Sequence, residues 1–185
     1  MQTNLLIETD RLVLRKWERR DREPFARLNA DVRVMEFMPA RLSRAESDSL
    51  LERIQHHFHA HGFGLYAAQS HQEHAFVGFI GLAVPTFQAH FTPCVEIGWR
   101  LFPEYWGRGL ATEGARAVVR HAFDVLGLCS LVAFTVPENI RSRRVMEKIG
   151  MTHDPSDDFD HPNLMGHPMR RHVLYRLRRE PDPLS

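Results

Sequence analysis

The sequence predicts a mixed α+β (α/β) domain built on one mostly antiparallel, twisted sheet with helices on its flanks. Three features of the pattern lead there. Two amphipathic helices precede a run of strands, the links within that run suit an antiparallel meander, and the second half of the chain alternates strand with helix.

Residues 11–16, RLVLRK, set Leu12 and Leu14 against Arg11, Val13 and Arg15, the period of two that gives a strand one buried face. Residues 18–29 carry Phe25 and Leu28 at helical spacing, and residues 43–61 carry Leu50, Leu51, Ile54 and Phe58 as a helical stripe. Strands are expected at 63–69, 75–84 and 95–102, with SHQEH as a hairpin link between the first two. Residues 108–126 place Ala111, Ala115, Val118, Val119, Ala122 and Phe123 on one helical face, and Gly127 stands where such a helix ends. A β-branched and aromatic strand at 130–136 stops at Pro137, and a helix at 139–148 terminates at Gly150. Residues 154–168, rich in Pro, Asp, Asn and Gly, read as a loop, and 170–178 alternate as a last strand.

The 185 residues suit one domain spanning 1–185, large enough to bury a substantial core. Lys plus Arg number 24 against 23 Asp plus Glu, which removes any global electrostatic reason to expect nucleic acid or an anionic membrane as partner. An anionic ligand must therefore be held locally. Cys94 and Cys129 stand apart without metal-ligand spacing, which suits a reducing cytoplasm and no structural zinc. MQTNLLIETDRL lacks the features of an export signal. The uncharged stretch 75–95 is interrupted by Pro85, Thr86, Gln88, His90 and Pro93 and reads as strands and a turn, not a membrane span.

The segment with the most chemical content is PEYWGRGLATEG, residues 103–114. It joins a strand to a helix and places Gly107, Gly109 and Ala111 where backbone amides can approach a ligand without an intervening side chain. The first helical turn offers unpaired N–H groups and the positive end of the helix dipole, a ready site for a pyrophosphate. Arg108 adds one charge. A tight turn that merely packs helix on strand has the same residues, and so does the start of a dinucleotide fingerprint, with Glu138 ending the next strand. That fingerprint lacks its third glycine, Thr112 standing there.

TDRLVLRKW (9–17), FVGFIGL (76–82), VEIGWRLFPEYWGRGLATEG (95–114), PENIRSRRVMEKIGM (137–151) and HVLYRL (172–177) together resemble the GNAT superfamily of acyl-CoA N-acyltransferases. The likeness is to the branch containing the ribosomal-protein N-terminal acetyltransferases and many small-molecule acetyltransferases. It implies a sheet of about seven strands with about four helices, acetyl-CoA as co-substrate and no metal. It further implies that Trp106, Gly107, Arg108, Gly109, Leu110, Ala111 and Thr112 hold the CoA pyrophosphate. Trp106 departs from the Gln or Arg usual there, and Thr112 would add a hydroxyl. Leu101 and Phe102, at the end of the strand, would offer main-chain groups to the acetyl carbonyl and pantetheine, although core packing explains the same residues.

Acetyl transfer to an amine needs a base, a held carbonyl and a proton for the thiolate. The resemblance makes Glu96 the base, on the strand face opposite Val95, Ile97 and Trp99; pairing with Arg100 is the structural alternative. Many relatives carry a tyrosine acid where this chain has Met146; Ser142 resembles the serine of the N-terminal acetyltransferase branch that contacts the CoA sulfur, and a helix-end serine bonded to backbone is the structural alternative. Asn139 caps the helix, with a pantetheine contact implied by the family. One of Arg141, Arg143 and Arg144 could meet a phosphate, or all three form a solvated face. HHFHAH, with His56, His57, His59 and His61, reads as a polar helix end more readily than a metal site. Asp157, Asp158 and Asp160 could draw in a cationic amine or belong to a solvated loop. The acceptor, a small-molecule amine or a peptide N-terminus, is expected to meet residues 35–39 and 154–168. The alternative on the same fold is a catalytically silent acyl-CoA-binding or sensing module. Relatives are often dimers, and this chain is expected to be a monomer or homodimer.

Overall fold

Alternation in residues 11–16 becomes a strand because Leu12 and Leu14 are wholly buried on one face while Val13 and Arg15 are half-buried on the other. The computed structural model describes residues 6–179 of the chain; the reading of residues 1–5 lies outside them. The six strands read from the sequence are β2 (Leu12–Arg15), β3 (Leu65–Ser70), β4 (Phe76–Ala83), β5 (Glu96–Leu101), β6 (Ser130–Thr135) and β9 (Arg171–Arg178). Three two-residue strands join them: β1 (Ile7–Glu8), β7 (Thr152–His153) and β8 (Phe159–Asp160). Such short pieces carry no period, and β8 lies inside the segment read as a loop. The helices are α1 (Arg22–Ala30), α2 (Arg44–His61), α3 (Leu110–Arg120) and α4 (Ile140–Lys148). Among the described residues, no helix is long and apolar enough to cross a membrane.

The sheet runs β1-β2-β3-β4-β5-β6-β9-β7, with β8 paired to β9. Every recorded pairing is antiparallel except β5 with β6. That parallel contact has one register pair, Glu96 with Val132, supported by the Val132 N–H bond to Val95 O at 2.9 Å. Beyond it the two strands diverge.

Each face of the sheet is covered by two helices. Trp17, Phe25, Leu28, Leu51 and Ile54 pack with Ala67 and Phe79 beneath α1 and α2. On the opposite face Leu12, Leu14, Tyr66, Ile80, Ile97 and Leu101 meet Ala115, Val118 and Met146 from α3 and α4. Gly114 permits α3 to lie close to β4, since a Cβ there would stand 2.4 Å from Ile80 Cδ1. Ser43 and Glu46 form a reciprocal capping box at the start of α2, and Gly62 ends it at φ 77°. Past Arg120, α3 continues as a π turn over His121–Val125 and stops at Gly127, φ 66°.

Candidate active site

Helix α3 begins two residues later than its apolar stripe suggests, because Gly107 and Gly109 adopt φ 69° and 79° and turn the chain before it. That region of backbone space is open to glycine at little cost. No side chain caps α3, whereas Ser43 caps α2 and Asn139 caps α4. Its first-turn N–H groups therefore face outward with the positive end of the dipole. Glu113, in the same turn, points back: its Oε1 accepts from Thr9 Oγ1 at 2.6 Å and Arg11 N at 2.9 Å, and its Oε2 from Arg11 Nε at 2.6 Å. Arg11 also donates to the Arg108 carbonyl at 2.8 Å. The Thr-Asp-Arg segment, the turn between β1 and β2, thus clamps the glycine turn from about a hundred residues earlier, a link invisible to local pattern.

Along β5 the main chain alternates sides. Val95 bonds toward β6 and Phe102 N–H bonds to Val77 O at 3.0 Å on the β4 side. The backbones of Ile97, Trp99 and Leu101 therefore turn toward the gap left where β6 diverges. Trp106 Nε1 donates to the Leu101 carbonyl at 2.8 Å. A cleft of about 320 Å³ opens here, walled by Leu101, Tyr105, Trp106, Gly107, Gly109, Leu110, Ala111 and Thr112 on one side. Asn139, Ser142, Arg144, Val145 and Lys148 of the α4 side complete it.

Phe102 and Arg108 do not line this cleft. Both backbone groups of Phe102 are bonded, its N–H to Val77 O and its carbonyl from Tyr105 N at 3.0 Å, and its ring lies by Phe76. Arg108 lies over the Tyr105 ring, 3.7 Å from Glu73. Arg141 spans the cleft mouth, bound to Glu36 at 2.6 Å and set over the rings of Trp106 and Phe37. Arg143 is turned away, donating to Pro137 O at 3.0 Å and Tyr175 Oη at 3.2 Å.

A second cavity, about 450 Å³, lies on the Glu96 face of β5. Phe37, Met38, Trp99, Arg100, Asn139 and Ser142 line both spaces, so the two meet between β5 and α4. Phe37, Met38 and Pro39 form one part of the second wall; His161, Asn163 and Leu164 form another, with Met169 and His172 beyond. Both segments expected near an acceptor thus reach this cavity.

Glu96 opens onto the cavity and is surrounded by protein otherwise. Burial pushes its carboxyl up to about 8, because a charge there loses hydration. It makes no ion pair with Arg100, whose guanidinium goes instead to Asn29 at 2.6 Å and Met38 Sδ at 3.2 Å. At near-neutral pH such a carboxyl can both take up and release a proton. Ser142, in the first turn of α4, lines the same cavity. Its backbone N–H is held by the Asn139 side chain at 3.2 Å, which leaves the hydroxyl for other work. Asn139 acts as the expected cap and donates its Nδ2 to Thr135 Oγ1 at 3.0 Å. Met146 is buried in the core beneath.

Asp157, Asp158 and Asp160 of the late loop already have side-chain partners. Asp157 pairs with Arg176, Asp158 with His153, and Asp160 with Arg170 and Arg171. His57 is structural, its Nδ1 bonded to Phe63 O and its Nε2 accepting from Val84 N, both at 2.9 Å.

A family model described as an acetyltransferase (GNAT) domain matches residues 11–152. FsC-acetyl coenzyme A-N(2)-transacetylase of Aspergillus fumigatus is 43% identical over 96 residues, 50% of this chain and 40% of that protein. The chain therefore spans less than half the length of that relative. The uncharacterized N-acetyltransferase YnaD of Bacillus subtilis is 31% identical over 146 residues, covering 78% of this chain and 81% of its own. An acetyltransferase (GNAT family) crystal structure from Bacillus anthracis superposes with a TM-score of 0.77 at 26% identity, over 94% of this chain and 98% of that one.

Proposed function

The chain belongs to the GNAT acetyltransferase family, and on that premise we propose that it moves the acetyl group of acetyl-CoA to a primary amine by direct attack in a ternary complex. The amine is that of a small molecule or a protein N-terminus. The observation that carries this reading is the meeting of two spaces. A cleft bordered by the uncapped start of α3 joins a cavity whose wall holds Glu96, with Ser142 at the junction.

The residues fit acetyl-CoA. The backbone of Gly107, Gly109, Leu110, Ala111 and Thr112 would hold its pyrophosphate, because the turn brings small residues and free amides together. Trp99 and Leu101 would bond the pantetheine as a missing neighbour strand, with Trp106 and Asn139 alongside. Bound there, acetyl-CoA supplies the activated acetyl group. Glu96 takes the ammonium proton, its raised proton affinity bringing it closer to an amine near ~10. Ser142 donates to the departing thiolate, the task that relatives give to the tyrosine replaced by Met146. We assign residues 1–185 to one catalytic domain acting in the cytoplasm as a monomer or homodimer, without a metal.

Met146 favours one other reading, a silent acyl-CoA-binding module. An acetyl-CoA-dependent thiol-release screen across N-terminal peptides, amino acids, polyamines and aminoglycosides separates the two. Release with any primary amine supports the enzyme, and acetyl-CoA binding without release across the panel overturns it.

A further inference from the structure

Arg100 is a partly buried cation with no anionic partner among the described residues. Its Nη1 donates to Asn29 Oδ1 at 2.6 Å, Asn29 Nδ2 donates to Ser47 Oγ at 2.9 Å, and both Asn29 and Ser47 are wholly buried. Its Nη2 lies 3.2 Å from Met38 Sδ, and its guanidinium stands 5.3 Å from the centre of the Phe79 ring. None of these partners is charged, and among the described residues no carboxylate oxygen lies within 4.0 Å of it. Arg15, the other well-buried arginine of this face, is matched to Asp21 at 2.7 Å. Burial lowers Arg100 to about 10, which leaves it charged at neutral pH.

An unmatched guanidinium held in place by a buried network is costly unless a ligand supplies the opposite charge. Arg100 and Met38 line both the cleft and the cavity. Acetyl-CoA carries its negative charges on the pyrophosphate, assigned above to the start of α3, and on the ribose phosphate beyond it, while its pantetheine and acetyl parts are neutral. The acceptor must bring the anion. Among the cavity's lining residues Glu96 is the single acid, too little for an acceptor with several ammonium groups, while Leu65, Phe79, Phe134, Leu164 and Met169 supply apolar walls.

Resting on the acetyl-transfer reading, we propose that the acceptor is an amino carboxylate: one primary amine directed to Glu96, an apolar body, and a carboxylate paired with Arg100. Glu96 and Arg100 are four residues apart on β5, which sets their Cα atoms ~13 Å apart at about 3.3 Å per residue. That spacing, with no ion pair between the two side chains and the guanidinium held at Asn29 and Met38, favours an amine and a carboxylate separated by several bonds, as in an ω-amino acid and unlike an α-amino acid.

The test compares 6-aminohexanoate, hexylamine and 1,6-diaminohexane as acceptors in thiol release, and measures hexanoate binding by calorimetry with CoA present. Wild-type protein should use 6-aminohexanoate with a kcat/KM about tenfold or more above hexylamine, the range of one charge-assisted hydrogen bond. Arg100→Met should remove that preference through acceptor KM, keep the KM for acetyl-CoA, and lose hexanoate binding; Arg100→Lys should retain part of each. Equal or better use of hexylamine or the diamine by wild-type protein overturns the proposal whatever the variants do, while leaving acetyl transfer intact. No turnover with any amine, together with hexanoate binding that Arg100→Met abolishes, overturns acetyl transfer and retains the anion site. Absence of both overturns both.

Discussion

The Trp106 indole donates its N–H to the carbonyl of Leu101 across 2.8 Å, tying the turn ahead of α3 to the strand that leads into it. Where relatives offer Gln or Arg, this chain uses its side chain to set the cleft wall. Trp106→Phe removes the donor and keeps a ring beneath Arg141. The expected result is a KM for acetyl-CoA raised about fivefold with kcat within about twofold, the effect of one lost hydrogen bond near 1 kcal/mol. Steady-state kinetics at saturating amine measure it.

Glu96→Gln should lower kcat by about a hundredfold or more and leave acetyl-CoA affinity unchanged, since the residue is assigned to the proton and not to the cofactor. In wild-type protein kcat/KM should climb with pH toward a plateau above about 8, the value to which burial pushes this carboxyl. The Gln variant should lose that limb. An identical pH profile in both proteins would remove Glu96 from the base role.

The same carboxyl makes a stability prediction. Its folded value lies above its unfolded one, so the native state holds a proton that the unfolded chain releases between about 4.5 and about 8. Stability from this group is fully present below about 4.5 and is lost as pH rises through about 8. Relative to Glu96→Gln, the wild-type Tm should therefore fall by a few degrees across that window, read by thermal denaturation at several pH values.

Arg11→Ala breaks the clamp on the glycine turn without removing any wall of the cleft. We expect the acetyl-CoA KM to rise about tenfold with kcat nearly unchanged, because charge-assisted bonds contribute roughly 1.5–3 kcal/mol. Glu113→Gln should give a similar change, and the double variant no more than the worse single one.

Ser142→Ala leaves the Asn139 cap in place, because the cap uses the Ser142 backbone N–H. Stability should hold within about 0.5 kcal/mol. The proposed thiolate contact predicts a kcat lowered about tenfold with a smaller effect on poorer-binding, more acidic thiol esters. Unchanged kcat would return that role to another group.

The six long strands and four helices were legible because Leu12 and Leu14, or Ala115 and Val118, recur with one period over enough residues to identify a buried face. The pairs Ile7–Glu8, Thr152–His153 and Phe159–Asp160 were not, since two residues have no period and exist as strands only through their neighbours. Glu96, Ser142 and the glycine turn were visible through family likeness. The cavity wall from Phe37 and Met38 falls in a segment expected to meet the acceptor, whereas the Arg100 network and the clamp by Arg11 were not visible, as each depends on contacts between elements far apart in sequence. The partners of the acidic loop were hidden for the same reason: Asp157 reads as exposed charge until Arg176 is seen beside it.

One register pair, Glu96 with Val132, joins the two halves of the sheet. Glu96 belongs to one half and Ser142, which follows β6, to the other. The residues proposed as base and as partner of the thiolate are therefore carried on separate halves of the sheet, held together at that one pairing.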